Sequence, residues 1–487
     1  MKSINIFLLS IASMLVLSCD FGDLNDNPNS PTKVPATNIL GASFKQGYGP
    51  VFDTRMNCYY AGAFAGMTSA PDYEYRNDIN NSIWNSFYVA MRICVDAMRV
   101  AKIEENNNIY AAATIMKVFY GNKATNCWGD IPYSEAFKIE GYLHPKYDSQ
   151  KDIYIQQLNE LKEAADLLDP QGKPIGEGDF LFKGNILKWK KFCNSLRLRL
   201  AIYAASGEQA IGLPTLQEIA NDLGRYPIIT KNDDNAYWWF SGIAPDEERW
   251  YKENLGLRDA SGYKTSKWRS QYDFVRSLVK NNDPRTCKYF DINKSGRYNG
   301  YRMGVGQTSN TSNRIDSTSA FGDRFCADSK GFMPFMNSAE VYFCLAEAAL
   351  KGYIQGGETQ AKSYYEEGIK ASCMENGIDN LAISKFLNEP EVKWGSGTTP
   401  NLGKIALQKW IVLLKQSIEA WTEARRSDVP KLENIDEMYI GRHNRPPFRL
   451  VYSESDRALN DNFPKDVIEN DLFYGGQLWW DKRKNVK

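Results

Sequence analysis

One spacing of apolar residues recurs along the chain and limits the folds that it can adopt. Apolar side chains return at i, i+4, i+7, i+11 and i+14 in three segments, which begin at Tyr154, Trp189 and Leu407. This spacing places them on one face of an amphipathic α-helix, whereas a strand would require alternation at every second residue. The sequence therefore predicts a mostly helical protein.

Other predicted helices follow one another after short turns. A helix that begins at Asn337 or Ser338 and ends at Gly352 precedes another near 358–375. Helices near 82–103 and 108–124 are also adjacent. Short connections between helices of this length give antiparallel pairs. Stacked pairs of this kind resemble tetratricopeptide repeats, although the repeat consensus is degenerate in this sequence.

Long stretches without helical periodicity separate these segments, at about 206–266, 282–336 and 425–487. They are rich in Gly, Asn, Asp and aromatic residues. Loops of this length in a compact protein are usually functional. We therefore expect a helical scaffold with a few short strands, in which the long loops carry the function.

The first residues are typical of a bacterial lipoprotein signal. Lys2 precedes an apolar run from Ile4 to Leu17, which is shorter than a membrane-spanning helix requires. The run ends in the letters VLSC, which look like a lipobox, the signal that directs acylation of its Cys, here Cys19. An ordinary signal peptide that happens to contain Cys19 is the alternative.

The lipobox divides the chain into three expected parts. Residues 1–18 would be the signal peptide, and Cys19 would carry the lipid anchor. Residues 19–37 are polar and rich in Asn, Asp and Pro, so we expect a flexible tether. Residues 38–487 would form one domain, attached to the membrane through the lipid.

The charge balance and the His content exclude several classes of function. Lys and Arg number 59 together, as do Asp and Glu, so the net charge is zero. Nucleic acids and anionic lipids bind basic surfaces, and we expect neither as a main partner. The two His residues, His144 and His443, have no His or Cys at metal-ligand spacing. Zinc chemistry and His-dependent nucleophilic catalysis are therefore poorly supported.

Three groups of residues have a structural interpretation. Eight Cys besides Cys19 form no CxxC pair, and we expect buried, unpaired thiols. No cofactor is expected. Asp233 and Asp234 could bind a structural calcium ion but lack its full loop spacing, so a solvated turn is favoured. An ion-pair network is expected at one predicted helix end, from Glu419, Glu423, Arg425 and Arg426.

The segment TNCWGDIPYSEAF, residues 125–137, admits two interpretations. Gly129 can end the preceding helix, Pro132 prevents it from resuming, and Asp130 can accept hydrogen bonds from free backbone N–H groups. An enzyme would instead use Asp130 and Glu135 as an acid–base pair. Nothing nearby in the sequence supplies a nucleophile, a metal ligand or a second acidic cluster, so we favour the structural interpretation.

Several motifs follow one another along the chain, among them WGDIPYSEA, GDFLFKGNILKWKKFCNSLRLRLA, AEVYFCLAEAALKG, QKWIVLLKQSIEAWTEARRSDVPKL and a terminal WWDKRK. Together with the lipobox and the opening DLNDNPNSPT, they resemble the SusD/RagB-like nutrient-binding lipoproteins of Bacteroidetes over nearly the whole mature chain. The resemblance implies a mostly helical fold in which four tetratricopeptide-like helix pairs support a loop-rich ligand-binding region. It also implies no catalysis, attachment to the cell-surface side of the outer membrane, and a SusC-like TonB-dependent transporter that receives glycans or peptides.

Two aromatic stretches are candidates for ligand contact. Aromatic rings stack on the C–H faces of sugars, while Asn, Asp and Arg bind the hydroxyl groups. The candidates are Tyr73, Tyr75, Arg76 and Trp84 in the first stretch, and Trp238, Trp239, Trp250 and Tyr251 in the second. For every one of these residues, packing on the scaffold is the alternative.

The second stretch permits a finer prediction. Trp238 and Trp239 are adjacent, so in an extended segment one points inward and the other outward. An acidic turn, residues 246–248, precedes Trp250 and Tyr251 and favours their exposure. If none of these aromatic residues binds ligand, we expect the site at Tyr298, Tyr301 and Arg302.

Two other functions would also use exposed aromatic residues or stacked helices. A secreted glycoside hydrolase would need two carboxylates about 5–9.5 Å apart across a cleft, and no pair in the sequence demands that role. A helical-repeat adaptor that binds no ligand would bury or lack the aromatic loop residues. The exposure of Trp239 and Trp250 would separate it from a ligand-binding protein.

Overall fold

Helices make up most of the regular secondary structure in the computed structural model. The structure describes residues 34–52, 61–62, 64–66, 77–138, 143–266, 268–302, 314–432, 445–464 and 476–486. Cys19, Tyr73, Tyr75 and Arg76 lie outside the described residues, as does most of the predicted tether. Residues Ala36–Lys487 form one compact unit. The predicted division into signal peptide, tether and domain stays a prediction.

The described helices, in chain order, are α1 (Ala36–Phe52), α2 (Asn77–Ile103), α3 (Asn107–Trp128), α4 (Gln150–Leu167), α5 (Ile186–Gly207), α6 (Gln209–Asn221), α7 (Arg249–Lys252), α8 (Tyr272–Lys280), α9 (Thr286–Tyr289), α10 (Asp323–Cys326), α11 (Ser338–Leu350), α12 (Gly357–Glu375), α13 (Asn380–Phe386), α14 (Thr398–Val412), α15 (Ser417–Ser427) and α16 (Glu454–Leu459). The strands are β1 (Phe64–Gly66), β2 (Ala236–Trp239), β3 (Trp268–Ser270) and β4 (Phe332–Met336). The prediction of a mostly helical protein is confirmed.

Polar side chains define where the long helices begin. Asn106, Ser149, Asn185 and Asn337 precede α3, α4, α5 and α11, and each side chain accepts a hydrogen bond from the backbone N–H three residues later. These bonds satisfy N–H groups that the helix itself leaves without partners. Gly129 ends α3 with φ of 85°, a conformation that residues with a Cβ rarely adopt.

Helices that are adjacent in sequence also pack together. Contacts join α2 with α3, α4 with α5, α11 with α12, and α14 with α15. For α2 with α3 and for α11 with α12, this is the arrangement that the short turns predict. The tetratricopeptide-like geometry and the number of such pairs stay predictions. Among the described residues, none of the helices combines the length and apolar composition needed to cross a membrane.

The stretch 206–266 is less irregular than predicted, because it contains α6 and β2. Gly212 and Pro214 both lie within α6. A Cβ at Gly212 would lie 2.2 Å from the carbonyl oxygen of Ala201 in α5. The glycine therefore permits close helix packing, and this tertiary contact outweighs its low helix propensity.

Two antiparallel strand pairs connect distant parts of the chain. In β2 and β4, Trp238 is paired with Met333 and Trp239 with Phe332. In the other sheet, β1 pairs with β3. Every residue of β4 is buried, so the first sheet is fixed to the core along that strand.

Buried charged side chains join several helices. Glu419 of α15 lies between Lys123 of α3 and Arg199 of α5, at N–O distances of 2.8 Å and 3.5 Å. Arg199 also forms a two-point ion pair with Glu340 of α11, at 2.6 Å and 2.8 Å. Although burial favours the neutral acid, Lys123 and Arg199 lower the pKa of Glu419 to about 2.

A second group of ion pairs lies further along α15. Arg426 bonds to Glu423 at 2.6 Å and to Glu347 of α11 at 2.7 Å and 2.6 Å. Lys409 of α14 approaches Glu423 to 3.0 Å. Arg425 instead donates to main-chain carbonyl groups. The predicted ion-pair network is confirmed for Glu419, Glu423 and Arg426, although most of their partners come from other helices.

Candidate ligand-binding surface

The segment 125–137 joins two helices. Trp128 is buried and its indole N–H donates to the carbonyl oxygen of Val451, at 2.8 Å. Asp130 Oδ1 accepts from the backbone N–H of Gln150 at 2.7 Å. Asp130 therefore accepts from a free backbone N–H group, as predicted, and that group belongs to the first residue of the next helix, α4. The acid–base interpretation gains no support, because Glu135 accepts from the backbone N–H of Lys146.

Trp84 is a core residue, so its selection as a ligand contact is wrong. Its side chain is 4% exposed and packs on Trp128 and Tyr88, with ring centroids 5.1 Å and 4.8 Å away. Helix α2 begins at Asn77 and places Trp84 on its inner face. The predicted helix near 82–103 contained Trp84, and only the packed structure shows that its ring lies on the buried face of that helix.

Trp238 and Trp239 point to opposite sides of β2, as predicted for adjacent residues of a strand. Trp238 is 5% exposed and lies between Phe180 and Phe240, at centroid distances of 5.2 Å and 4.7 Å. Trp239 is 56% exposed. Trp238 is therefore a core residue and no ligand candidate, whereas Trp239 presents its ring to solvent.

Trp250 is also buried, which contradicts the expectation from the acidic turn. Its side chain is 6% exposed and packs on Phe321, at a centroid distance of 4.8 Å. The reason lies in Glu248, which forms a buried ion pair with Lys415 at 2.7 Å. The Lys415 ammonium group lies 5.1 Å from the Trp250 ring. The ion pair thus holds Glu248 of the acidic turn in the interior. Of Trp250 and Tyr251, Tyr251 is the exposed residue, at 40%.

The exposed ring of Trp239 rests on a layer of fixed side chains. Phe332 lies 5.1 Å from Trp239 and stacks on Tyr237 at 4.9 Å. The Tyr237 hydroxyl donates to Glu375 at 2.8 Å, and Arg324 donates to the same carboxylate at 2.7 Å while lying over Phe332. Burial raises the pKa of Glu375 despite these partners. We call Trp239 and this supporting layer the Trp239 surface.

An ordered turn with polar groups follows Trp239. Asp246 Oδ2 accepts from the backbone N–H of Ser241 at 2.9 Å, and the Asp246 N–H donates to the carbonyl of Ile243 at 2.8 Å. The N–H of Phe240 bonds to the carbonyl of Gly331 at 3.1 Å. The turn therefore holds an exposed hydroxyl group and a carboxylate close in sequence to the exposed indole.

The structure also places residues of the alternative ligand site and of the calcium candidate. Tyr301 is buried, and Arg302 is exposed above the ring of Tyr272, 3.6 Å from its centroid. Asp234 forms an ion pair with Lys191 at 2.7 Å. Within the described ranges, no three His, Cys, Asp or Glu side chains cluster as metal ligands would. Each Cys that the structure describes is unpaired, and all of them except Cys287 are buried.

Sequence reasoning missed the support of the Trp239 surface. Phe332, Arg324 and Glu375 lie far from Trp239 in the chain, and only strand pairing brings Phe332 beside it. The short apolar segment FMPFM, residues 332–336, was the available signal for a strand. Nothing in the sequence indicated which strand it would join.

A family model and several solved structures match the chain. The family model SusD-like_2, described as "Starch-binding associating with outer membrane", matches residues 33–453. Among curated proteins, the search for similar sequences found no match. Similar solved structures include a Bacteroidetes protein described as "AC2a SusD-like", with 24% identity, a TM-score of 0.77 and coverage of 92% of this chain and 100% of that one.

Two other solved structures have slightly lower TM-scores. A SusD homologue from Bacteroides uniformis has 24% identity and a TM-score of 0.76, with 91% of this chain and 99% of that chain covered. A chitin-binding SusD homologue from Flavobacterium johnsoniae has 23% identity and a TM-score of 0.74, with 91% and 99% covered. At these identities the structural likeness establishes the fold alone.

Proposed function

The chain belongs to the SusD-like family of binding proteins, and we propose that it captures glycans at the cell surface and delivers them to a SusC-like TonB-dependent transporter. The prediction that the chain is not an enzyme is confirmed by this family membership. The family description refers to starch, and two similar structures are described as chitin-binding. These descriptions support glycans as the first class of ligand to test, with oligopeptides second.

The exposed indole of Trp239 is the observation that carries the proposal. It is held by Phe332 in a paired strand, so little side-chain entropy remains to be lost when a ligand binds. A flat, rigid aromatic face suits the C–H face of a pyranose ring, and neighbouring polar groups such as Ser241 and Asp246 can bind its hydroxyl groups. We propose Trp239 as the platform and Tyr251 as a further contact.

The proposed location of the protein at the cell surface is based on the first residues of the chain. The lipobox at Cys19 and the polar segment that follows support a lipid anchor with a flexible tether. The family description associates its members with the outer membrane. Tyr73, Tyr75 and Arg76 lie outside the described residues. They stay proposed contacts because their rings and guanidinium group suit sugar binding.

Two neighbouring Trp residues allow a matched test of the binding surface. Isothermal titration with malto-oligosaccharides and chito-oligosaccharides should first find a ligand. Trp239→Ala should then weaken binding at least about tenfold, equivalent to ~1–2 kcal/mol, and change stability by less than about 1 kcal/mol. Trp238→Ala should instead lower stability by about 3–5 kcal/mol, because it empties a core position.

A conservative variant separates stacking from mere bulk. Trp239→Phe keeps an aromatic face and should retain most of the affinity. If Trp239→Ala binds every tested glycan as the unchanged protein does, the Trp239 surface is not the binding site. The transporter is tested separately, by purifying the tagged protein from outer membranes. The absence of any co-purifying TonB-dependent transporter after mild cross-linking would contradict the proposed partnership.

A further inference from the structure

A cavity of about 440 Å³ lies where the C-terminal ends of α5, α11 and α15 meet α14 and the last described segment of the chain. Its volume falls within the range of small-molecule sites, roughly 300–1,000 Å³. It shares no residue with the Trp239 surface. We propose that this cavity is a second binding site, and that it takes a small polyhydroxylated acid, of which a hexuronic acid is the simplest example. This inference does not depend on the proposed role of Trp239.

The charges that line the cavity favour an anionic ligand. Among the described lining residues, three are cationic and one is anionic. The cations are Lys351, Arg426 and Lys482, and the anion is Glu347. Glu347 is already matched, because both its oxygens accept from Arg426, at 2.7 Å and 2.6 Å, and Lys351 lies 2.6 Å away. Although burial opposes it, these cations hold the pKa of Glu347 well below its usual range. Arg426 also pairs with Glu423, whose charge Lys409 balances, so the net charge at the cavity stays positive.

The two lysines have N–H donors to offer. An ammonium group has three donors. Lys351 gives one to Glu347, and Lys482 approaches the carbonyl oxygen of Trp479 at 3.4 Å. Lys482 is exposed and Lys351 is partly exposed, so neither needs to leave the protein interior to meet a ligand. A ligand carboxylate supplies acceptors for these donors.

The remaining wall suits a sugar-sized body. The hydroxyl groups of Thr399 and Ser427 line the cavity beside the apolar side chains of Leu402 and Val429. This mixture of a few hydroxyl groups with apolar surface resembles the lining of small-molecule sites, where polar groups fix orientation and apolar groups supply contact area. The hydroxyl groups and C–H faces of a hexuronic acid match both parts.

Gly403 keeps the cavity open. It lies in α14 and lines the cavity, and a Cβ built there meets nothing within 4 Å. Glycine inside a helix is less stable than alanine by about 0.5–1 kcal/mol. No steric conflict within the described protein requires a glycine at this position. A side chain here would occupy space that a ligand can use.

The test uses glucuronate as the probe and glucose as its neutral counterpart. Binding of each sugar is measured by saturation-transfer NMR and calorimetry. Glucuronate should bind at least tenfold more tightly than glucose, and the difference should shrink as salt is added. Gly403→Leu should weaken glucuronate binding at least tenfold without lowering the melting temperature. Lys482→Met, at an exposed position, should weaken it several-fold and tests the charge if Gly403→Leu does not fold.

Three controls make the result decisive. Gly403→Ala should fold at least as stably as the unchanged protein, which shows that the position tolerates a side chain. Trp239→Ala should bind glucuronate normally, and Gly403→Leu should bind the glycan of the Trp239 surface normally. The inference is overturned if glucuronate does not bind, if glucose binds equally well, or if Gly403→Leu folds and retains full glucuronate binding. Loss of glucuronate binding in Trp239→Ala would also overturn it, because the acid would then occupy the other site.

Discussion

The buried carboxylate of Glu419 should give the protein a measurable dependence of stability on pH. Its folded pKa of about 2 lies below the ordinary value of 4.5, because Lys123 and Arg199 outweigh the effect of burial. A group with a lowered folded pKa stabilises the fold above its unfolded pKa, and this contribution is lost as the pH falls toward the folded pKa. The shift corresponds to roughly 3 kcal/mol in total, of which about 2 kcal/mol is lost between pH 7 and pH 3.

Glu419→Gln removes the carboxylate and leaves Lys123 buried opposite an amide. Arg199 keeps its two-point pair with Glu340, so the consequence falls mainly on Lys123. Burial already lowers the pKa of Lys123 even with Glu419 present. Leaving one member of a buried pair without its partner typically costs about 3–5 kcal/mol. We expect a loss of that size at pH 7 in urea unfolding followed by circular dichroism.

The double variant Lys123→Met with Glu419→Gln distinguishes the ion pair from the loss of a side chain. Apolar replacement of a whole buried pair is often close to neutral, so it should recover most of the stability lost by Glu419→Gln. Between pH 7 and pH 3, the double variant should also lose about 2 kcal/mol less stability than the unchanged protein loses. Glu366→Gln is the surface control, since Glu366 pairs at 3.8 Å with a half-exposed Lys362. It should change stability by less than about 1 kcal/mol.

The reasoning about Glu419 fails under either of two results. Glu419→Gln could unfold within about 1 kcal/mol of the unchanged protein at pH 7, which would mean that Lys123 needs no buried partner. Alternatively, the double variant could keep the full pH dependence between pH 7 and pH 3. The lowered pKa would then belong to other carboxylates.

Two further predictions concern Asp130, after the end of α3, and Cys19, after the predicted signal peptide. Asp130→Ala should lower the free energy of unfolding by about 0.5–2 kcal/mol because the Gln150 N–H at the start of α4 loses its acceptor, while Asp130→Asn keeps an acceptor and should lose less. Thermal unfolding measures both, and a fully stable Asp130→Ala variant that has lost an enzymatic turnover would contradict the structural role. Cys19→Ala should abolish labelling by a fatty-acid probe and recovery with the outer membrane. Continued labelling of that variant would show that the lipobox interpretation is wrong.

Local patterns predicted the helices well. The apolar spacing from Tyr154 and Trp189 led to α4 and α5, and Asn337 caps α11 as one of the two expected residues. The spacing from Leu407 predicted one helix, and this prediction is wrong in part, because the segment is divided into α14 and α15. Helix hydrogen bonds and caps join residues three or four positions apart, so a short window of sequence contains their causes. Helix α6 was missed because its Gly212 is explained only by contact with α5.

The candidate site could be predicted only in part. The sequence showed that one of Trp238 and Trp239 would point outward, because strand geometry alternates side chains. It did not show which one, since that depends on Phe180 on one side and Phe332 on the other. Trp250 was expected at the surface, and its burial depends on an ion pair between residues 167 positions apart.

The sequence by itself determined the helical class, the helix starts, the structural role of segment 125–137, and the motifs that resemble the SusD-like family. Each of these depends on residues close together in the chain, whose geometry the backbone fixes. The tertiary structure alone decided which aromatic rings are exposed, which charged groups share the interior, and where a cavity remains beside Gly403. Exposure and pairing are properties of surfaces that meet from distant segments, and a local pattern carries no record of the surface that will cover it.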